Sequence, residues 1–340
     1  MLISNLNKIH IFTIFIIFSS IFFGCSSQNS QNINIFPVVF SFSKNQNVDI
    51  YKLSNLGGEL TQLTTDKSSE TMPTWSPDKN SIAYLSDING TNTLWIMDSN
   101  GKSKKEILDS DIKVNNFFWS PDSKKIAAEI NRNDKLNIII INLEQNSKEI
   151  LNLPYSQVFI GDWSPDGKWL LYNVEDTNNK GVKRKSITGV DEFTITEKDD
   201  HSPKWSPNGK WIAFMRKNTL GNFDLVYTNI YGEKEEILLR ENVNKIDYDW
   251  SSDSKNIIFS KKEKQSNMNE IFNIEIKNGS IKQLTFNRVN DLNPRWNNKN
   301  STIIFSSENE DILDLYSMLI DGSEQIRLTR NLDKFIDADW

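Results

Sequence analysis

One tryptophan-led motif recurs along the whole chain and restricts the fold more than any other feature. Trp-Ser-Pro-Asp stands at Trp75–Asp78, Trp119–Asp122 and Trp163–Asp166. Trp205-Ser206-Pro207-Asn208 and Trp250-Ser251-Ser252-Asp253 are near copies, Trp296-Asn297-Asn298-Lys299 is degenerate, and Trp340 ends the sequence. The tryptophans that lead successive copies of the motif lie 42 to 46 residues apart. A fixed period in this range is the signature of a stacked or radial repeat, in which one supersecondary unit cannot bury its apolar face alone.

Each interval carries the same series of short β-rich runs. After the turn comes a run such as Ile82-Ala83-Tyr84-Leu85, Leu170-Leu171-Tyr172 or Ile257-Ile258-Phe259. A second follows, such as Leu94-Trp95-Ile96-Met97 or Ile271–Ile276, and it ends in a tight turn at Asn100-Gly101, Tyr231-Gly232, Asn278-Gly279 or Asp321-Gly322. Asn-Gly and Asp-Gly supply the positive φ of two-residue hairpins. A third run contains Gln283-Leu284-Thr285 or Arg327-Leu328-Thr329, and a short fourth leads into the next tryptophan. Four strands in this length match one propeller blade. In the Ser-Pro-Asp-Gly turn, Pro presets φ and Gly fits the last position; Gly167 and Gly209 keep that glycine, and Lys79 and Ser123 replace it. The expected fold is all-β: a seven-bladed propeller over residues 37–340. Trp75, Trp119, Trp163, Trp205, Trp250, Trp296 and Trp340 are expected to pack between blades.

The phase of the repeat predicts how the ring closes. The first unit, from Val38-Val39-Phe40, lacks a Trp-led strand, and the last strand, Ile336–Trp340, has no successors. Pairing the two completes a blade and removes two exposed sheet edges.

The N-terminus reads differently. Lys8 precedes the apolar run Ile9–Phe23, which is shorter than the roughly 20 residues of a membrane span and reads as an export signal over residues 1–24. It leads into Phe22-Phe23-Gly24-Cys25-Ser26, which resembles a bacterial lipobox with Phe22 where leucine is usual. Cys25, the chain's one cysteine, is the expected lipidation site, and it leaves no thiol for disulfides or metal. Residues 25–36 read as lipidated cysteine plus polar tether. The expected location is the periplasmic or extracellular side of a membrane.

Pro-x-Trp-Ser-Pro-Asp-Gly followed by Ile-Ala-Phe, Leu-Tyr-x-Met-Asp and Leu-Thr resembles the PD40 repeat of TolB-like propellers. Met72–Asp78 with Leu94–Asp98, Ser202–Trp205 with Ile212–Phe214, and Leu315–Met318 carry the resemblance. It covers residues 37–340. The chain departs from TolB in its seven expected blades, where TolB has six, and in its lipobox. The resemblance implies a non-enzymatic scaffold whose channel mouth takes a peptide or envelope protein.

Catalytic motifs are scarce. The formal net charge is -6 and basic residues are scattered, which argues against nucleic acid. There is no Gly-x-Ser-x-Gly elbow, phosphate loop or Cys/His zinc spacing. His201, in Asp199-Asp200-His201-Ser202-Pro203, is the one histidine beyond the signal. In propellers this strand position lines the channel. Glu70, Asp200, His201, Asp247, Asp291, Asn293 and Asp337 are therefore candidate channel-mouth residues, with Asp333 nearby. They suit a basic peptide or a hard cation such as calcium; a water-filled polar channel is the plainer alternative. Similar propeller polysaccharide lyases bind a metal through several histidines, so a carbohydrate-active enzyme or a sugar-binding lipoprotein using the acidic channel mouth is the second reading. No cofactor is expected, and the chain is expected to be a monomer. Lys180, Lys183, Arg184 and Lys185 are expected on a solvated outer strand or loop, or as a docking patch for an anionic polymer. Glu308, Glu310, Asp311 and Asp314 are expected in a solvated hairpin, and Phe117-Phe118 and Phe159-Ile160 either in an apolar spot near the channel or in blade packing.

Overall fold

The computed structural model describes residues 37–44, 47–54, 59–132, 135–240, 247–297, 302–309, 312–329 and 334–339. Cys25, the rest of residues 1–36, Asp333 and Trp340 lie outside them. The described residues form seven four-stranded antiparallel sheets. Among them no helix is long and apolar enough to cross a membrane.

Blade 1 joins both ends of the chain. Strands Val38–Lys44, Asn47–Leu53 and Leu60–Gln62 are completed by Lys334–Asp339. Val39 pairs with Asp339, Phe40 with Ala338 and Ser41 with Asp337. Blades 2 to 7 begin with inner strands Glu70–Trp75, Val114–Trp119, Val158–Trp163, Asp200–Trp205, Asp247–Trp250 and Asn290–Asn297. Each then runs outward in sequence order.

The tryptophans join neighbouring blades through both packing and hydrogen bonds. Trp75 packs among Val39, Ile50 and Leu63 of blade 1 and Ile82, Tyr84 and Met97 of its own blade. Its indole N–H donates to the Pro37 carbonyl at 2.9 Å. Trp119, Trp163 and Trp296 donate to the carbonyls of Thr74, Phe118 and Asp249 on the preceding blade, at 3.2, 3.1 and 3.2 Å. The indole nitrogens of Trp205 and Trp250 are buried with no acceptor among the described residues.

Two further local devices repeat. In the Ser-Pro-Asp turns the serine hydroxyl donates to the Asp carboxylate, at 2.6 Å in Ser76–Asp78, Ser120–Asp122 and Ser164–Asp166. The fourth position takes positive φ: Lys79 at 63°, Ser123 at 62°, Gly167 at 69°, Gly209 at 70° and Ser254 at 60°. Ser123 and Ser254 use their hydroxyls to accept the Asp78 and Asn208 amides of the preceding blade, both at 3.0 Å. In the Leu-Thr pairs the leucine and threonine stand just past the short outer strand. Thr64, Thr285 and Thr329 accept the amides of Ile50, Ile271 and Leu315 and donate to Asp49, Glu270 and Asp314.

Two surface expectations need correction. Lys183, Arg184 and Lys185 of the basic cluster lie on strand Gly181–Ser186, which has a paired strand on both sides within blade 4, while Lys180 precedes it and is exposed. Lys183 and Arg184 are buried there, because alternation sends them to opposite covered faces. Asp314 likewise is buried in its strand, bonded to Thr329 at 2.9 Å and to Arg327. Glu308 is exposed, and Glu310 and Asp311 lie outside the described residues.

Candidate functional site: a two-walled central cavity

The inner strands of all seven blades line a central cavity of about 640 Å³. Its two sides differ in chemistry. Blades 2 to 4 contribute Met72, Phe117, Phe118 and Ile160. Blades 5 to 7 and the closing strand contribute Lys204, Asp247, Tyr248, Arg295 and Asp339. The first wall is mainly apolar, with Lys79 and Asn116 also on it, and the second carries most of the charge, with Met215 beside it.

The charged wall follows from the residue just before each tryptophan. Read around the ring from blade 4, that position is Asp162, Lys204, Asp249, Arg295 and Asp339. The three aspartates latch blades together: each carboxylate accepts the amide of the next blade's tryptophan, Trp205 at 3.0 Å, Trp296 at 3.0 Å and Trp75 at 2.8 Å. Lys204 instead donates to the Tyr248 carbonyl of the next blade at 2.8 Å, with Asp249 at 3.6 Å. Arg295 stands 3.9 Å from Asp247.

Burial dominates the electrostatics here. It pushes the Asp162 carboxyl up to about 7, against the Trp205 amide and the Lys204 charge that favour the anion. It lowers the Lys204 ammonium, helped by Arg295 and opposed by Asp249. It raises the Tyr248 phenol well above its ordinary range. On the neighbouring apolar side, Glu129 accepts the Ile160 amide at 2.6 Å across the blade 3–4 seam, and burial pushes it up to about 7. Desolvation disfavours whichever form is charged.

The sequence-predicted channel residues are distributed among three environments. Asp247 lines the cavity. Glu70, Asp200 and Asp291 share one repeat position, five residues before the tryptophan, and are buried. Glu70 accepts from Ser68 and Ser86 at 2.5 and 3.1 Å, and burial raises it. Asp291 accepts from Ser307 and Asn287 at 2.6 and 2.8 Å, and burial raises it too. Asp200 takes two bonds from Arg216, at 2.7 and 2.8 Å. Arg216 also bonds Glu235, holding that carboxyl down at about 2.

His201 bridges blades 4 and 5. Nδ1 meets Glu175 at 2.8 Å and Nε2 meets Asp199 at 2.9 Å, with Phe223 edge-on at 5.4 Å. Only the doubly protonated ring donates to both carboxylates. Asn293 adopts φ 53° and donates to Ser306 at 3.2 Å. Asp337 occupies the closing strand, paired with Ser41. Among the described residues no three His, Cys, Asp or Glu side chains are grouped to hold a metal ion.

Sequence reasoning overlooked the alternating residue before the tryptophan, although its signal is plain in the chain. It favoured positions three to five residues back. Counting back by twos fails because Met72, Ser202 and Asn293, each followed by proline, have positive φ and sit in bulges.

Seven four-stranded sheets, locked by Trp-Ser-Pro-Asp turns around a lined cavity, define a WD40-like propeller scaffold. The chain belongs to the TolB β-propeller (PD40) family, whose signature matches residues 34–199, 104–268 and 202–340. It is 29% identical over 179 residues to the uncharacterized peptidase YuxL of Bacillus subtilis; that match spans 42% of this chain but 27% of the relative. Among solved structures it is similar to TolB from Acinetobacter baumannii, with TM-score 0.56 and 16% identity over 89% of this chain and 82% of that one. Oligogalacturonate lyase from Vibrio parahaemolyticus gives TM-score 0.66 and 13% identity over 87% of each chain. A puromycin-hydrolyzing peptidase of Mycobacterium tuberculosis gives 0.68 and 11% over 87% of this chain and 53% of its own. At these identities the structural likeness shows the fold, which serves binding proteins and enzymes alike.

Proposed function

We propose that this propeller is a non-enzymatic envelope protein that takes an extended segment of a partner protein into its central cavity. The reading rests on one observation: an apolar wall of Met72, Phe117, Phe118 and Ile160 faces a wall carrying Lys204, Asp247 and Arg295. An extended chain places successive side chains on opposite sides, so a segment alternating apolar and charged residues matches both walls at once. Export and lipidation at Cys25 would hold the ring at a membrane, with residues 26–36 as tether.

The engagement of the candidate catalytic groups supports binding over sugar chemistry. Asp200 is held by Arg216, and both nitrogens of His201 face carboxylates. A general acid or base must reach its substrate's proton. The test is affinity capture from solubilised envelope with wild type, Phe118→Asp and Lys204→Glu. One partner retained by wild type and lost from both variants is expected. Equal capture by all three, or wild-type turnover on a polysaccharide panel lost in the double variant Asp200→Asn, His201→Gln, would overturn the proposal.

A further inference from the structure

Away from the cavity, the seam between blades 4 and 5 holds a buried cation, Arg184, whose Nε finds no oxygen partner among the described residues. Arg184 is 6% exposed. Its guanidinium carbon lies 4.7 Å from the Trp169 ring, 4.8 Å from Phe193 and 5.5 Å from Tyr231. Its Nε is buried without a hydrogen-bond partner among the described residues. The other cations of the cluster have oxygen partners. Lys183 donates to Thr194 at 2.9 Å, Lys185 to the Val190 carbonyl at 2.8 Å, and Lys180 pairs with Asp199 at 3.4 Å.

The repeat supplies an internal control. Lys52 of blade 1, paired with Val39 and Thr61, occupies the register position that Arg184 occupies between Leu171 and Phe193. The next blade's turn answers Lys52 with the Ser99 carbonyl at 2.6 Å and the Asn100 side chain at 3.4 Å. In blade 5 the matching turn is Ile230-Tyr231-Gly232, and an aromatic ring stands in place of the Asn100 amide. That turn is pinned: Gly232 has φ +78°, and a Cβ there would lie 2.2 Å from the Ile195 carbonyl oxygen. Gly101 is seated the same way, with its would-be Cβ 3.0 Å from the Leu63 carbonyl oxygen. The joint recurs in the two seams, while the Asn100 side-chain acceptor is replaced by the Tyr231 ring.

We propose that this seam is a carboxylate-binding site, in which Arg184, framed by Trp169, Phe193 and Tyr231, takes a carboxylate carried on an apolar or aromatic group. Aromatic faces stabilise the cation only in part, and a desolvated charge without a counter-charge is costly. A planar guanidinium matches the two oxygens of a carboxylate bidentately. Val190, Tyr231 and Phe193, at 90, 63 and 46% exposure, form an apolar shoulder for the group bearing it. A phosphate dianion would need more donors than one arginine offers. Burial lowers the Arg184 guanidinium, with Tyr231 opposing, as expected of a cation short of anions.

The test is calorimetric titration of the full chain in detergent with N-acetyl-phenylalaninate, with the corresponding amide and inorganic phosphate as comparators. Saturable one-to-one binding at least tenfold tighter than either comparator is expected. Arg184→Met should lose it by tenfold or more. Tyr231→Ala, on an exposed turn that tolerates truncation, should weaken it several-fold and serves if Arg184→Met fails to fold. No saturable heat in the wild type, equal binding of the amide or phosphate, or unchanged affinity in the variant that folds would overturn the proposal.

Discussion

Blades 2 to 4 and blades 5 to 7 are built from one repeat, yet they face the cavity with opposite chemistry. The first group stacks Met72, Phe117, Phe118 and Ile160; the second sets Lys204, Asp247 and Arg295 around Tyr248. Both groups share the inner-strand tryptophan and the order of their four strands, while the residue before the tryptophan varies and, where it is Asp162, Asp249 or Asp339, adds a latch to the next blade. Inner-strand chemistry thus differs from blade to blade on one shared strand order.

The largest expected effect comes from emptying the apolar wall. Phe117 is buried, so Phe117→Ala should cost about 3–5 kcal/mol, read as a fall in the urea midpoint. The same change at exposed Phe286 should leave the midpoint within about 0.5 kcal/mol of wild type. Equal losses at both sites would break the comparison.

On the charged wall, Asp249→Ala strips the Trp296 amide of its acceptor and Lys204 of its nearby carboxylate. A loss of about 1–3 kcal/mol is expected. Asp249→Asn keeps an acceptor and should recover part of it. Full recovery would show that the latch, rather than the charge pair, carries the stability.

The blade 3–4 and blade 4–5 seams answer to pH in the same direction. Glu129 and Asp162 both have folded-state values pushed up to about 7, above the ordinary carboxylate range. Between that range and neutrality the folded protein binds more protons than the unfolded chain, so stability falls as pH rises from about 4 to about 7. For Glu129 the upper bound is about 3 kcal/mol. Denaturation midpoints at several pH values should show this slope, and Glu129→Gln should flatten it. A wild type that gains stability across the window would contradict the buried-acid account.

How much of this could be read from the chain depends on the range of the interaction involved. The blade count and closure were legible because the turn is local and its period is nearly constant. The unpaired phase of Val38 and of the last strand required the join now seen between Val39 and Asp339. The cavity was legible only in part. Phe117-Phe118 and Ile160 were noticed as a possible apolar spot, whereas Lys204 and Arg295 passed unremarked. Bulges at Met72, Ser202 and Asn293 reset the phase between the start of the inner strand and its tryptophan. Burial of Arg184 was hidden for another reason. A run of Lys and Arg resembles surface until the pairing partners on both sides are known.

The smallest expected effect concerns the turns. Lys79 and Ser123 both hold positive φ, but only Ser123 uses its side chain to accept the amide of the preceding turn. Lys79→Gly relieves the positive φ but takes the ammonium from over the Trp75 ring at 5.7 Å, so it should stay within about 0.5 kcal/mol of wild type, and Ser123→Gly should cost about 0.5–1 kcal/mol more through the lost bond. Melting temperatures of the two variants would show the contrast.

The measurement that bears most directly on the two-walled cavity is site-specific photocrosslinking in intact cells. A photoreactive side chain at Phe118 is compared with one at Leu220, on an exposed hairpin of blade 5. The account expects Phe118 to capture one contiguous segment of a single protein and Leu220 to capture none of it. No adduct at Phe118, or the same adducts at both positions, would contradict it.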